Sequence, residues 1–421
     1  MRVILTILLL ASLSCYSQGT VVFKDGTKAK RDNLYRHLVN NTISKNLALP
    51  LSDSTEDNWQ DAFYAIALLQ NKDPKIDRKI NEAVNDVLNR SVSFQRALLE
   101  ILYDRYPGLY LKEIRQVYNS TADPKLFAMC GEYLLKSLKN PTEKNQLLNL
   151  AKKKAEAGMQ GPHLDQLMYA IVNSGKAVVI PSLHTLLTKN YLKGNVLLIS
   201  FQRRNRNYPG LVVIRDSSGN FMKDESGNFF SVPQLARSIY NLPGYITNGN
   251  TPEGIFRMDG FDTSRIGMIG PTTNVQLTMP MEYHAHHFYR DSTLADSIGS
   301  LQLYKKLLPQ NFRNYFPLQQ SFYAGKAGRT EIIAHGTTVD PGYYTGLPYF
   351  PFTPTMGCLC TIEMWSPTDG RRIKSDQQLL TNAITSGGGP HGYAIVININ
   401  DDKKPVTLDD ILPFLKLAGQ K

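Results

Sequence analysis

Two residue types in one stretch can do covalent chemistry together. Ile332-Ile333-Ala334 is a short apolar run ending at His335-Gly336-Thr337, and a Pro/Gly/aromatic segment then leads to Thr355-Met356-Gly357-Cys358-Leu359. A buried strand that delivers an imidazole, followed by a loop that returns a thiol, supplies what a cysteine acyl-transfer site needs. A free thiol, with a pKa of about 8.5, is only a few per cent thiolate near neutrality, so it requires a neighbouring base or a positive environment. His335 is the candidate base, taking the thiol proton and returning one to a leaving amine. Gly357 lets the backbone approach closely, so that the N–H groups of Met356, Gly357 and Cys358 can face a developing oxyanion. Taken singly, Cys358 reads equally as a buried structural thiol and His335 as a satisfied histidine at a strand end.

Other residues compete for the same attention. Cys360 is two residues past Cys358, and residues two apart in an extended segment face the same way. A Cys358–Cys360 disulfide would close a very small, strained ring, and the plainer reading is a small residue filling space. In His284-Ala285-His286-His287, His284 and His286 would share one face of a strand and could bind zinc, but no third ligand at a metal-enzyme spacing follows. Cleft lining or a solvated edge is the simpler role. Tyr343-Tyr344, Tyr349-Phe350 and Phe352 read either as core filler or as a cap over the nucleophile. Ser386 to Gly392 is a glycine-rich loop lacking the strand–helix context of a phosphate site, with His391 a secondary candidate. Cys130, in a helical apolar pattern, reads as a small buried hydrophobe.

The elements that must position these residues divide at about 190. Residues 1–17 read as a secretory signal: Arg2, an apolar Val3–Leu13 core, and a small-x-small cleavage site at Cys15-Tyr16-Ser17. Cleavage is favoured over lipidation of Cys15, because Ser12 stands where a lipobox prefers leucine. The remaining three cysteines are an odd number, which argues against a disulfide framework in an exported chain and leaves a thiol for chemistry. Residues 18–190 form a helical domain, either a bundle or degenerate repeats, with helical periodicity from about Asp53 and Asp-Pro punctuation at Asp73-Pro74 and Asp123-Pro124. Its default role is packing or the binding of an envelope protein. From 191 to 421 the texture is short strands, Val196–Phe201, Leu211–Ile214, Gly254–Met258, Asn274–Leu277 and Tyr393–Ile397, with helices expected over Pro233–Tyr240, Ser375–Ile384 and Asp409–Leu417. The net charge of +11 points to an anionic partner. Lysine and arginine are scattered and no nucleic-acid motif is present, so an anionic envelope polymer suits better than nucleic acid.

Residues from roughly 195 to 400 resemble the L,D-transpeptidase (YkuD-like) catalytic domain of bacterial cell-wall enzymes. The resemblance rests on His335-Gly336-Thr337, on Thr355-Met356-Gly357-Cys358, and on two upstream landmarks in the same order: Thr251-Pro252-Glu253-Gly254-Ile255-Phe256, and Gly270-Pro271 followed by Met279-Pro280-Met281. Two positions depart from the family: Met356 replaces a common histidine, and Cys360 replaces the usual arginine or asparagine. With the helical pattern before it, the resemblance gives an α+β chain, a helical domain followed by a mainly β, sandwich-like catalytic domain of mixed sheets with peripheral helices. With the signal it suggests an exported enzyme of periplasm or cell envelope, with no transmembrane segment after signal cleavage. The activity implied is L,D-transpeptidation of peptidoglycan stem peptides through a Cys358 thioester, with no metal or organic cofactor. The Gly336 carbonyl would hold one ring nitrogen of His335. Thr355, Met356 and Thr337 would line the substrate and oxyanion side, and Arg371, with Arg372, would replace the missing cation for a substrate carboxylate. Two alternatives stay open: an L,D-carboxypeptidase or amidase using the same nucleophile, and a catalytically decayed envelope scaffold.

Overall fold

A computed structural model describes residues 21–138, 140–294 and 299–418. The proposed signal lies outside the described residues. The chain is mixed α and β: an N-terminal helical region followed by one large, mainly antiparallel sheet with helices against it.

Helices run from Lys28 to Asn173 without an intervening strand. Asp73 and Asp123 act as N-caps, their carboxylates accepting from the amides of Lys75 and Leu126, with proline in the first turn of each helix. Behind the caps, Trp59, Phe63, Phe94, Leu98, Leu102, Phe127 and Tyr133 are almost wholly buried in one core. Each such side chain contributes roughly 1.5–3 kcal/mol by leaving water. Helical structure begins earlier than the expected Asp53. Lys28–His37 is a helix that buries none of its residues, so no apolar stripe marks it in the sequence.

Among the described residues ten strands follow: β1 (Val196–Arg203), β2 (Gly210–Arg215), β3 (Ser231–Gln234), β4 (Gly254–Asp262), β5 (Asn274–Thr278), β6 (Ile332–His335), β7 (Leu359–Cys360), β8 (Glu363–Trp365), β9 (Arg372–Ser375) and β10 (Gly392–Asn400). Eight share one sheet in the order β3-β2-β1-β10-β4-β5-β6-β7, while β8 and β9 form a separate pair. The sheet rolls until its edges meet: Leu235, just past β3, exchanges both backbone hydrogen bonds with Cys360 of β7 at 2.8 Å. The expected sandwich of several sheets is therefore one rolled sheet, its open edges paired off.

Side chains alternate across it. Leu198, Val212, Phe256, Val275, Ala334 and Leu359 pack on one face with Leu380 and Ile384 of the helix Asp376–Ser386. Leu197, Ile199, Tyr393 and Ile395 face the other way, toward Tyr304, Ile411 and Leu415. The helix expected over Pro233–Tyr240 is absent. Pro233 instead sits outward in edge strand β3, where its missing N–H costs no ladder bond. The two regions are not insulated: Ile239, Tyr240, Leu242, Tyr245 and Ile246, beyond β3, are part of the helical core.

Candidate active site

β6 and β7 run parallel, with Ala334 opposite Leu359 and His335 opposite Cys360. Ala334 and Leu359 point into the core. Alternation therefore puts Ile333, His335, Cys358 and Cys360 on the other face, His335 one row along from Cys358. The His335 ring is buried, and its Nδ1 lies within hydrogen-bond reach of the Gly336 carbonyl oxygen. A carbonyl only accepts, so Nδ1 carries the hydrogen and Nε2 is the free base. Burial pulls the imidazole pKa down to about 4, so the ring is neutral near pH 7.

Cys358 is partly exposed, and its thiol donates to the Glu331 carbonyl at 3.6 Å, not to His335. Transfer of that proton to Nε2 requires the sulfur to turn from the β6 backbone toward the neighbouring row. Burial raises the thiol pKa and Glu331 adds to this, while the Ile333 amide and Arg329 oppose them. The resting pair is a neutral thiol beside a neutral imidazole.

The turn before Cys358 is held from several sides. The Thr355 hydroxyl accepts from the Gly357 amide at 2.9 Å and reaches the Cys358 carbonyl at 3.1 Å. With that amide engaged, the oxyanion donors left from the expected set are those of Met356 and Cys358. Gly357 has φ +114°, and a Cβ there would lie 1.9 Å from Arg329 Nη2 and 2.2 Å from the Gly249 carbonyl. Met356 is 38% exposed and lines the open side.

The Thr251 segment reaches this turn directly, the Met279 segment reaches it through Glu331, and Gly270 packs on Thr338. The Thr251 hydroxyl donates to the Gly357 carbonyl at 2.8 Å. Gly270 (φ +85°) leaves room for the Thr338 methyl, which would lie 2.3 Å from an added Cβ. Glu282 accepts from the amides of Met279 at 2.9 Å and Glu331 at 3.0 Å. Glu331 itself is left-handed (φ +60°), strain of roughly 1–2 kcal/mol stored next to Cys358.

The remaining candidates sit elsewhere or act indirectly. Thr337 is buried, accepts from the Thr353 hydroxyl at 2.8 Å, and gives its carbonyl to the Trp365 indole. That makes it a packing peg. Arg371 pairs its backbone with Val22, and Arg372 binds the side chains of Thr272 and Gln378. Among the described residues no hydrogen bond or ion pair joins either arginine to the Cys358 turn. Cys360 is 1% exposed beside Thr353, burial pushing its thiol up to about 12. All three described cysteines are free thiols.

Tyr344, Tyr349 and Phe352 form a small core with Leu235, and the Tyr344 hydroxyl donates to the Leu68 carbonyl at 2.9 Å. This loop is core, not a cap. His284 precedes the short helix Ala285–Tyr289 that carries His286 and His287, not a strand, because alternation over three residues is too short to set a period. His287 Nε2 lies 3.2 Å from Asp259. No metal-binding group of three His, Cys, Asp or Glu occurs among the described residues. His391 begins the approach to β10, where the charges of Arg290 and Arg257 act on it.

Two supporting residues had no sequence signature. Glu363 is buried against Gly336, where an added Cβ would lie 2.1 Å from its carboxyl carbon. Burial raises its pKa, opposed by the Ser375 and Thr272 hydroxyls, Arg372 and the Thr337 amide. Arg329 is 3% exposed, with Nη1 on the carbonyls of Gly244 and Asn250, and Nη2 on those of Gly249 and Gly357. Only a cation three residues before β6 announces it. No model of a known protein family matches this chain, and no curated protein matches it.

Proposed function

We propose that this chain is a cysteine acyltransferase acting on peptidoglycan stem peptides, with Cys358 as nucleophile and His335 as base. The observation carrying the reading is the pairing of a neutral imidazole, its Nδ1 tied to the Gly336 carbonyl, with a partly exposed thiol on the same sheet face. In the reaction, Nε2 of His335 takes the thiol proton as sulfur bonds to the carbonyl carbon of an L,D peptide bond. The amides of Met356 and Cys358 are the nearest donors for the resulting oxyanion. Collapse breaks the C–N bond, the imidazolium protonates the departing D-residue's amine, and a Cys358 thioester remains. The free amine of a neighbouring stem then displaces sulfur, giving its proton to His335, which returns it to the thiolate. The family resemblance supplies the substrate class, the exported location and the L,D stereochemistry.

Hydrolysis of the same thioester has one observation in its favour. Cys358 is partly exposed, so water is not shut out. Intact-mass spectrometry with defined muropeptides tests both. The expected adduct equals the acyl fragment, is lost in Cys358→Ala, and partitions to a cross-linked product when amine is added. A Cys358→Ala protein that still forms the adduct or the product overturns the assignment.

A further inference from the structure

We propose that Arg329 is a positioning residue for the Cys358 reaction, holding the nucleophile turn by its carbonyls and supplying the positive charge against which the thiolate forms. The proposal rests on the reading of Cys358 as nucleophile. Its geometry is specific. The guanidinium bridges the Gly244–Asn250 loop and Gly357, binding Asn250 O at 2.8 Å, Gly249 O at 2.7 Å and Gly357 O at 3.4 Å, with Gly244 O as the fourth acceptor. All four are neutral main-chain oxygens, and no carboxylate pairs with Arg329 among the described residues. A buried cation without a counter-charge is costly, and an amide side chain could supply donors without that cost.

What an amide lacks is the charge. The one ionisable group favouring the charged form of Arg329 is Cys358, next to the glycine on which Nη2 packs. Once the thiol loses its proton, the missing counter-ion of Arg329 exists. The arrangement is thus better matched to the activated state of the nucleophile than to its resting state, as catalysis requires.

The other charges around the pair set the size of the effect. Glu331, at the start of β6, opposes the thiolate, and Lys125, on the helix Pro124–Leu135, faces Arg329 from the helical side. His335 and Cys360, one row along, are neutral at pH 7. An opposite charge within about 4–6 Å shifts an ionisable group by about one to three pKa units.

The test reads the thiol itself. Alkylation of Cys358 by iodoacetamide is followed against pH by peptide mass mapping in wild type, Arg329→Lys and Arg329→Gln, with folding checked by near-ultraviolet circular dichroism. The Gln variant is expected to raise the alkylation midpoint by about one unit or more and to slow the reaction at pH 7 about tenfold, with Lys restoring most of it. A folded Gln variant with the wild-type midpoint overturns the proposal, as does Lys behaving like Gln. Should Gln not fold, the wild-type protein serves alone. Anionic iodoacetate should gain on iodoacetamide at Cys358 several-fold relative to free cysteine, and an unchanged ratio refutes the charge role. Thioester formation with muropeptides is scored separately, so failure of the substrate assignment and failure of this inference give different results.

Discussion

Glu132 lies in the helix Pro124–Leu135, fully enclosed, and its carboxylate accepts from the Tyr245 hydroxyl at 2.7 Å. Burial pushes its pKa from 4.5 to about 7. Below pH 4.5 the group is neutral folded or unfolded and adds nothing to the pH dependence. Between 4.5 and about 7 the unfolded chain has released the proton while the folded chain keeps it, so stability falls as pH rises. Above that window both states are ionised and the full penalty persists. A shift of 2.5 units (7 minus 4.5) corresponds to about 3 kcal/mol. Glu132→Gln keeps an acceptor for Tyr245 and cannot ionise. It should be more stable than wild type by up to about 3 kcal/mol near pH 8, and nearly equal to it near pH 4.5. Glu100, also raised to about 7, slopes the same way, and His163 and His335, lowered to about 4, slope the opposite way, so the reading is the difference between variant and wild type at each pH. Urea midpoints for both proteins at the two pH values provide the measurement. An unchanged difference between the two pH values, or a variant weaker than wild type at the higher pH, would refute the reasoning.

Two further outcomes follow from the packing around the site. Gly336→Ala drives its methyl into the Glu363 carboxyl and displaces the carbonyl that holds His335, costing about 1–3 kcal/mol of stability in chemical denaturation. Its Cys358 acylation rate should fall, and retained wild-type acylation would show that the Gly336 carbonyl does not orient the ring. In native protein iodoacetamide should label Cys358 and spare Cys130 and Cys360, both almost fully buried. Cys360→Ala should leave that labelling intact at a stability cost of about 1 kcal/mol, and peptide mapping that found Cys360 modified first would contradict the assignment of roles.

Much of the site was legible because its residues sit where local pattern rules apply. Ile332 to Ala334 is a buried run that ends in His335, and Gly357 adopts a backbone angle that only glycine takes comfortably. The Asp73 and Asp123 caps were readable for the same reason. What escaped depends on partners distant in sequence. Arg329 acts through carbonyls about eighty residues earlier, and Glu363 matters only because Gly336 packs on it. The strand at Pro233 was misread because alternation in four residues carries little signal and its partner β2 lies before a double turn. The aromatic loop read equally as core filler or as a cap in isolation. Its neighbours, Leu68 and Leu235, belong to elements that the local pattern cannot reach.

The segment from Ile239 to Ile246 has a consequence for how such a protein can evolve. Its apolar side chains complete the core of the helical region, while the carbonyls of Gly244, Gly249 and Asn250, in and just after it, grip Arg329 beside the Cys358 turn. A lineage could not exchange the helical half for another module, as chains with flexibly tethered accessory domains do, without also re-founding the reactive centre. The two halves are bound to be inherited together.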